Sequence, residues 1–154
     1  MAVNRGKQFE DVIKTAFLKV PNVSIDRLHD QMSGLKGSKN ICDFIVYKEP
    51  YEYYIECKSV HGNTFPFSNI TDNQLSGLLK KSDIEGVVAG LIIWFIDKDV
   101  TLFVPIQYIS WLKLCSYKSI RYDHVGGNIV HLCGKKKRVF FDYNMEEFFN
   151  EVRH

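Results

Sequence analysis

Two carboxylates and an ammonium sit inside segments that otherwise read as buried strands, and this limits the possible folds more than any other feature of the chain. The segments are Ile41-Cys42-Asp43-Phe44-Ile45-Val46 and Tyr53-Tyr54-Ile55-Glu56-Cys57-Lys58. Successive side chains of a strand point to opposite faces. Glu56 and Lys58 therefore share a face, roughly 6–7 Å apart along it, while Ile55 and Cys57 face a core. Asp43 lies on a preceding strand that a short turn through Lys48-Glu49-Pro50 brings alongside. Charges are rarely buried unpaired, so the three groups need one another or a ligand.

Two arrangements meet that need. The first is a divalent cation. Mg²⁺ takes one or two carboxylates and fills its shell with water and phosphate oxygens. Two carboxylates alone repel by about 4 kcal/mol at 4 Å and an effective dielectric of 20, and a dication removes that repulsion. It also acidifies a bound water and polarises a phosphoryl group, with Lys58 left to orient or deprotonate the water or to stabilise developing charge. The second arrangement is an ion-pair ladder, Glu56 to Lys58, on a solvated strand face. Spacing alone is compatible with both.

At 154 residues the chain is expected to form one domain, residues 1–154. An apolar fraction of 45% and a charged fraction of 25% are those of a soluble globular protein. A net charge of +2 does not by itself announce nucleic acid. The longest apolar run, 87–96, is too short to span a membrane. The N-terminal residues enter an amphipathic pattern directly, without the hydrophobic region of a signal peptide, which predicts a cytoplasmic protein. Cys42, Cys57, Cys115 and Cys133 form no CxxC pair and are expected to be buried free thiols. The histidines form neither HExxH nor HxH, which removes support for zinc hydrolase chemistry.

Phe9, Val12, Ile13, Ala16, Phe17 and Val20 recur at helical spacing and predict a helix over 5–20, with Asn4 as N-cap and Pro21-Asn22 as terminator. Glu10 borders its apolar face, where an acid also suits the helix dipole. A short strand over 23–28 and a basic loop over 34–39 precede the two charged strands. Thr71 with Gln74 makes a capping box for a helix through Lys81. The run 87–96 reads as a strand buried on both faces. Residues 100–104 are its antiparallel partner, and 105–114 a helix with Pro105 near its first position. Short strands near Ile129 and Val139 and a helix from Asn144 complete an α/β sandwich with a mixed sheet.

With these residues placed, the chain resembles the PD-(D/E)xK nuclease superfamily, and within it the RecU-like Holliday junction resolvases. Asn4-Arg5-Gly6 with Phe9-Glu10 resembles that family's N-terminal motif, and Cys42-Asp43-Phe44-Ile45-Val46-Tyr47 its acidic strand. Glu56-Cys57-Lys58, then Thr64-Phe65-Pro66-Phe67, then Gln74 resemble its Glu-x-Lys strand, Phe-Pro segment and helix-borne Gln. The resemblance covers about residues 4 to 96 and is loose beyond 105. It implies a restriction-endonuclease-like fold, a mixed β-sheet flanked by α-helices. It implies that Asp43 and Glu56 bind Mg²⁺ or Mn²⁺, that Glu10 touches the metal through water, that Lys58 acts on the attacking water, and that Gln74 positions metal-bound water or phosphate. It further implies a homodimer acting on four-way or other branched DNA. The family's long stalk is short or absent here, since only about fifteen residues separate Leu28 from Asp43, and the basic loop with Lys36 and Lys39 is its expected remnant.

Phosphate contacts come from Lys, Arg and loop amides, and Arg5, Lys7, Lys36 and Lys39 lie in segments near the expected site. Lys135-Lys136-Lys137-Arg138 is the densest basic run. A charge run is usually a solvated face, here a hairpin turn, with DNA contact as its alternative. Tyr51, Tyr53 and Tyr54 are able to stack on bases, although Tyr53 is expected inside and Tyr51 at an edge. The expected activity is therefore structure-selective DNA cleavage. The alternatives are a nuclease of the same fold acting on flaps, forks or duplex, and a non-catalytic DNA-binding accessory protein.

Overall fold

The computed structural model describes residues 4–29, 40–152 and 154. Lys36 and Lys39, with the rest of the basic loop, lie outside them. Helix α1 (Arg5–Leu18) starts where the Asn4 side chain accepts the Lys7 N–H at 3.1 Å, and it buries Phe9, Ile13, Ala16 and Phe17. Strands β1 (Ser24–Arg27), β2 (Phe44–Lys48) and β3 (Tyr51–Val60) follow. After the short β4 (Thr64–Pro66) comes α2 (Asp72–Ser82), then β5 (Val87–Phe95), β6 (Val100–Pro105) and α3 (Ile106–Leu114). The chain closes with β7 (Ser119–Arg121), β8 (Val130–His131), β9 (Gly134–Lys136), β10 (Phe141–Tyr143) and α4 (Met145–Glu151).

Six strands form one mixed sheet in the order β1-β2-β3-β5-β6-β8. Among the described residues only the β3–β5 pair is parallel, the two strands being joined by a crossover that carries α2. β3 is central and sorts its side chains by parity. Tyr53, Ile55 and Cys57 enter a core with Phe9, Ile13 and Phe17 of α1, Trp94 of β5 and Phe148 of α4. On the other face Tyr54 joins Leu78 of α2, Leu91 and Ile93 of β5, and Phe65. The sheet is thus flanked by helices on both faces, the layered α/β arrangement expected. The run at 87–95 is buried throughout apart from Val87, as a strand covered on both sides must be.

Several details differ from expectation. β2 begins at Phe44, so Asp43 stands just before the strand, although its N–H still donates to the Ile55 carbonyl at 3.1 Å. The short strand expected near Val139 is β10, which begins at Phe141, and Val139 itself lies in the turn between β9 and β10. The helix expected over 105–114 begins at Ile106, with Pro105 beside its first residue as N-cap. Cys42 and Cys57 are buried free thiols, but Cys115 and Cys133 are exposed, because they fall just after α3 and just before β9, outside the packed layers. Among the described residues no helix is long and apolar enough to cross a membrane.

Candidate active site

Asp43, Glu56, Lys58 and Gln74 meet at the end of the sheet where β2 begins and β3 runs out. Glu56 is only 6% exposed. Its Oε1 accepts Nε2 of Gln74 at 2.9 Å and lies 3.2 Å from Nζ of Lys58. The ion pair that spacing allowed is therefore real, but it is buried against α2 rather than on a solvated strand face. Asp43 turns toward the same strand, and its Oδ2 accepts the backbone N–H of Cys57 at 2.8 Å. Each carboxylate gives one oxygen to these donors, Oδ2 of Asp43 and Oε1 of Glu56.

The local sequence explains each placement. Alternation on β3 puts Glu56 and Lys58 on the face covered by α2. The capping box sets the start of α2: the Thr71 hydroxyl accepts the Gln74 N–H at 3.1 Å, and Oε1 of Gln74 accepts the Thr71 N–H at 3.1 Å. That bond turns Nε2 of Gln74 toward Glu56. Close approach of α2 to the segment leading into Asp43 needs Gly77, where an added Cβ would lie 2.2 Å from Cγ2 of Ile41.

Burial dominates the electrostatics. It pushes Glu56 up to about 8, assisted by the neighbouring Asp43 charge and opposed by Lys58. Burial likewise pushes Asp43 up to about 6, opposed by the Cys57 N–H and assisted by Glu10. Without a cation the pair therefore holds protons more tightly than free carboxylates do, and its two members titrate together. Cys42 is pushed up to about 12 and Cys57 well above the usual thiol range, in both cases chiefly by burial. Neither thiol is a thiolate near neutral pH. The ionisable donors at this site are carboxylate oxygens, a set suited to a hard cation such as Mg²⁺ or Mn²⁺.

Glu10 comes near enough to bear on both carboxylates, but its direct partner is a residue the sequence reading passed over. Arg27, at the end of β1, donates from one nitrogen to Oε2 of Glu10 at 2.6 Å and from the other to Oδ1 of Asp11 at 2.7 Å. Its side chain is 16% exposed, and the guanidinium lies 5.9 Å from the centre of the Phe44 ring. A lone Arg ending a short strand after an acidic pair on a helix was the only available signal. Among the described residues no three His, Cys, Asp or Glu side chains are grouped closely enough to hold a metal ion by themselves. Asp43 and Glu56 form a pair, and the neighbouring Glu10 is bound by Arg27.

The expected DNA contacts divide. Arg5 and Lys7 are exposed on the first turns of α1. Tyr53 and Tyr54 are buried, and Tyr51 stacks on the His154 ring with centroids 3.5 Å apart, so base stacking by these three is not prepared.

A model of the RecU family, recombination protein U, matches residues 7–145. The chain belongs to this family. The match runs into the loosely resembling region beyond 105, as far as residue 145, so this RecU-family chain carries its family pattern through β9 and β10. Among solved structures, Hjc, a Holliday junction resolvase from the archaeal hyperthermophile Archaeoglobus fulgidus, aligns at a TM-score of 0.49 and 17% identity, over 66% of this chain and 78% of Hjc. No curated protein matches the chain in sequence.

Proposed function

We propose that this RecU-family chain is a metal-dependent endonuclease that resolves four-way DNA junctions. The observation that carries the reading is the convergence of Asp43, Glu56, Lys58 and Gln74 at one buried sheet end, in a chain of a recombination family. An accessory protein without catalysis would be free to lose one of Asp43, Glu56 and Lys58, and all three are present.

Asp43 and Glu56 would hold Mg²⁺ or Mn²⁺ between them. The ion, when bound, supplies Lewis-acid charge at the scissile phosphate and a water acidified for attack. The remaining steps belong to the protein. Lys58 orients the attacking water or stabilises charge building on the phosphate oxygens. Gln74 keeps Glu56 in one rotamer and aims a donor at the site's edge. Glu10 adds an accessory negative charge near the metal-bound water, and Arg27 holds it there. Arg5 and Lys7 contact phosphates.

The protein would act as a homodimer, since a twofold pair presents two identical sites to two strands, and in the cytoplasm, with access to recombining DNA. The short connection between Leu28 and Asp43 supports a second reading: the same chemistry on a wider range of branched DNA such as flaps or forks.

Incubation with a synthetic four-way junction, a flap and linear duplex, each in Mg²⁺ or in EDTA, tests the proposal. Metal-dependent cutting confined to the junction is expected. Equal cutting of all three substrates would replace junction selectivity with the second reading, and no cutting of any would remove the nuclease.

A further inference from the structure

The basic run Lys135-Lys136-Lys137-Arg138 has a place that its sequence position did not reveal. β9 and β10 form a separate two-stranded hairpin, closed where the Lys137 N–H donates to the Phe140 carbonyl at 2.8 Å. The ring of Phe140 anchors the hairpin turn. It lies 5.1 Å, centroid to centroid, from Trp94, and the Arg5 guanidinium lies 5.9 Å from its centre. Trp94 is the register partner of Ser59, the residue after Lys58. The turn is therefore fastened to the end of the sheet where β3 runs out, on its α1 face and against the first turn of α1, while Glu56 and Lys58 lie at the same end on the opposite, α2 face. Arg5 and Lys7 lie on that part of α1, and Arg5 is about 7–8 Å along the helix axis from Glu10.

The acids facing this surface leave part of its charge uncompensated. Lys136 pairs with Asp99 at 2.5 Å. Lys135 stands opposite Asp142 in register, and Asp142 is itself bound by Lys19 and also faces Lys137. Asp11 shares a groove with Lys137 but is held by Arg27. Lys7, Lys137 and Arg138 are exposed. Two basic segments far apart in sequence are thus brought side by side, one on a rigid helix and one on a pinned hairpin. Such an arrangement suits the phosphate backbone of duplex DNA, which is bound by charge without regard to sequence.

We propose that Lys137 and Arg138 of the hairpin turn, together with Arg5 and Lys7, form a phosphate-binding strip that holds one duplex arm of the substrate beside the active site. This deepens the nuclease reading and rests on it. The strip sets affinity and the angle of the arm, while Asp43, Glu56 and Lys58 do the chemistry.

The test is fluorescence anisotropy of a labelled synthetic four-way junction with the full chain, without divalent metal, across a series of salt concentrations. Against wild type, Lys137→Ala with Arg138→Ala should weaken binding roughly tenfold, and the slope of log K against log salt should fall by about two, near one per lost phosphate contact. Arg5→Ala alone should lower the slope by about one. The charge-keeping pair Lys137→Arg with Arg138→Lys should bind as wild type does, and Lys113→Ala with Lys118→Ala, an equal charge loss elsewhere, should leave the slope unchanged. An unaltered slope in the hairpin variant, or an equal drop in the Lys113/Lys118 control, overturns the strip while the nuclease reading stands. Failure of the wild-type protein to bind the junction at all overturns both.

Discussion

The side-chain amide of Gln74 donates to Oε1 of Glu56 at 2.9 Å while its oxygen accepts the Thr71 N–H at 3.1 Å. One side chain thus closes the N-terminus of α2 and fixes a buried carboxylate of the site. Gln74→Ala removes both contacts. The lost capping arm should cost about 1 kcal/mol of stability, and the freed Glu56 should lower junction cleavage by roughly 10- to 100-fold. Gln74→Glu keeps an acceptor for Thr71 but sets a second carboxylate against Glu56. It should retain most of the stability and lose as much activity as Gln74→Ala. Urea denaturation and single-turnover cleavage measure the two effects separately.

The raised acids set a pH dependence of definite sign. A cation needs Asp43 and Glu56 ionised and so competes with protons. At subsaturating Mg²⁺, cleavage should climb between about pH 6 and pH 8, the values to which burial pushes the two acids, and saturating Mg²⁺ should move the climb to lower pH. Stability in EDTA runs the other way. The folded state holds protons that the unfolded chain releases near its ordinary carboxylate range. This contribution is complete below that range and is lost as pH rises through the raised values. Metal-free protein should therefore be less stable at pH 9 than at pH 6, with Glu56→Gln flattening the difference. A metal-free protein that gains stability over that interval would contradict the electrostatics described.

Arg27 acts on the site through Glu10. Arg27→Met should leave Glu10 free to repel the Asp43–Glu56 pair. Loss of the charge-assisted bonds should destabilise the fold by about 1–3 kcal/mol. The turnover rate should fall about tenfold with little change in KM for the junction, and the pH climb of the preceding experiment should move upward. Arg27→Lys should recover part of each effect, because it restores charge without the two-armed geometry. A variant with a normal pH profile would reduce Arg27 to a simple tie between α1 and β1.

Gly77→Ala places a methyl carbon 2.2 Å from Cγ2 of Ile41. Alanine improves helix propensity by about 1 kcal/mol, but overpacking costs about 1–3 kcal/mol, so a net loss of stability is expected. Ile41 is two residues from Asp43, so cleavage should fall as well. Ile41→Ala in the same chain should relieve the clash, giving strongly non-additive effects in a double-mutant cycle.

The parts of this site legible in the sequence were those governed by local periodicity. Alternation put Glu56 and Lys58 on one face and Ile55 and Cys57 on the other. Thr71 and Gln74 form the capping box at its expected spacing, and the apolar run after them became the covered strand β5. The parts that were not legible depend on segments distant in sequence. Arg27 meets Glu10 only because α1 packs beside β1, and Gly77 is needed only because Ile41 passes under α2. The exposure of Cys115 and Cys133 follows from irregular segments with no period to read. The basic run at 135–138 gained a location only when Phe140 docked on Trp94.

The most direct test compares cleavage and binding of a four-way junction, at saturating Mg²⁺, by wild type, Asp43→Asn and Glu56→Gln. Both substitutions keep side-chain volume and remove one ionised oxygen pair. The geometry described predicts a loss of cleavage of at least about 1,000-fold in each, with junction binding within about threefold of wild type, since phosphate contacts lie elsewhere. Cleavage within tenfold of wild type in either variant would contradict the assignment of Asp43 and Glu56 as the paired acids of a metal-dependent nuclease.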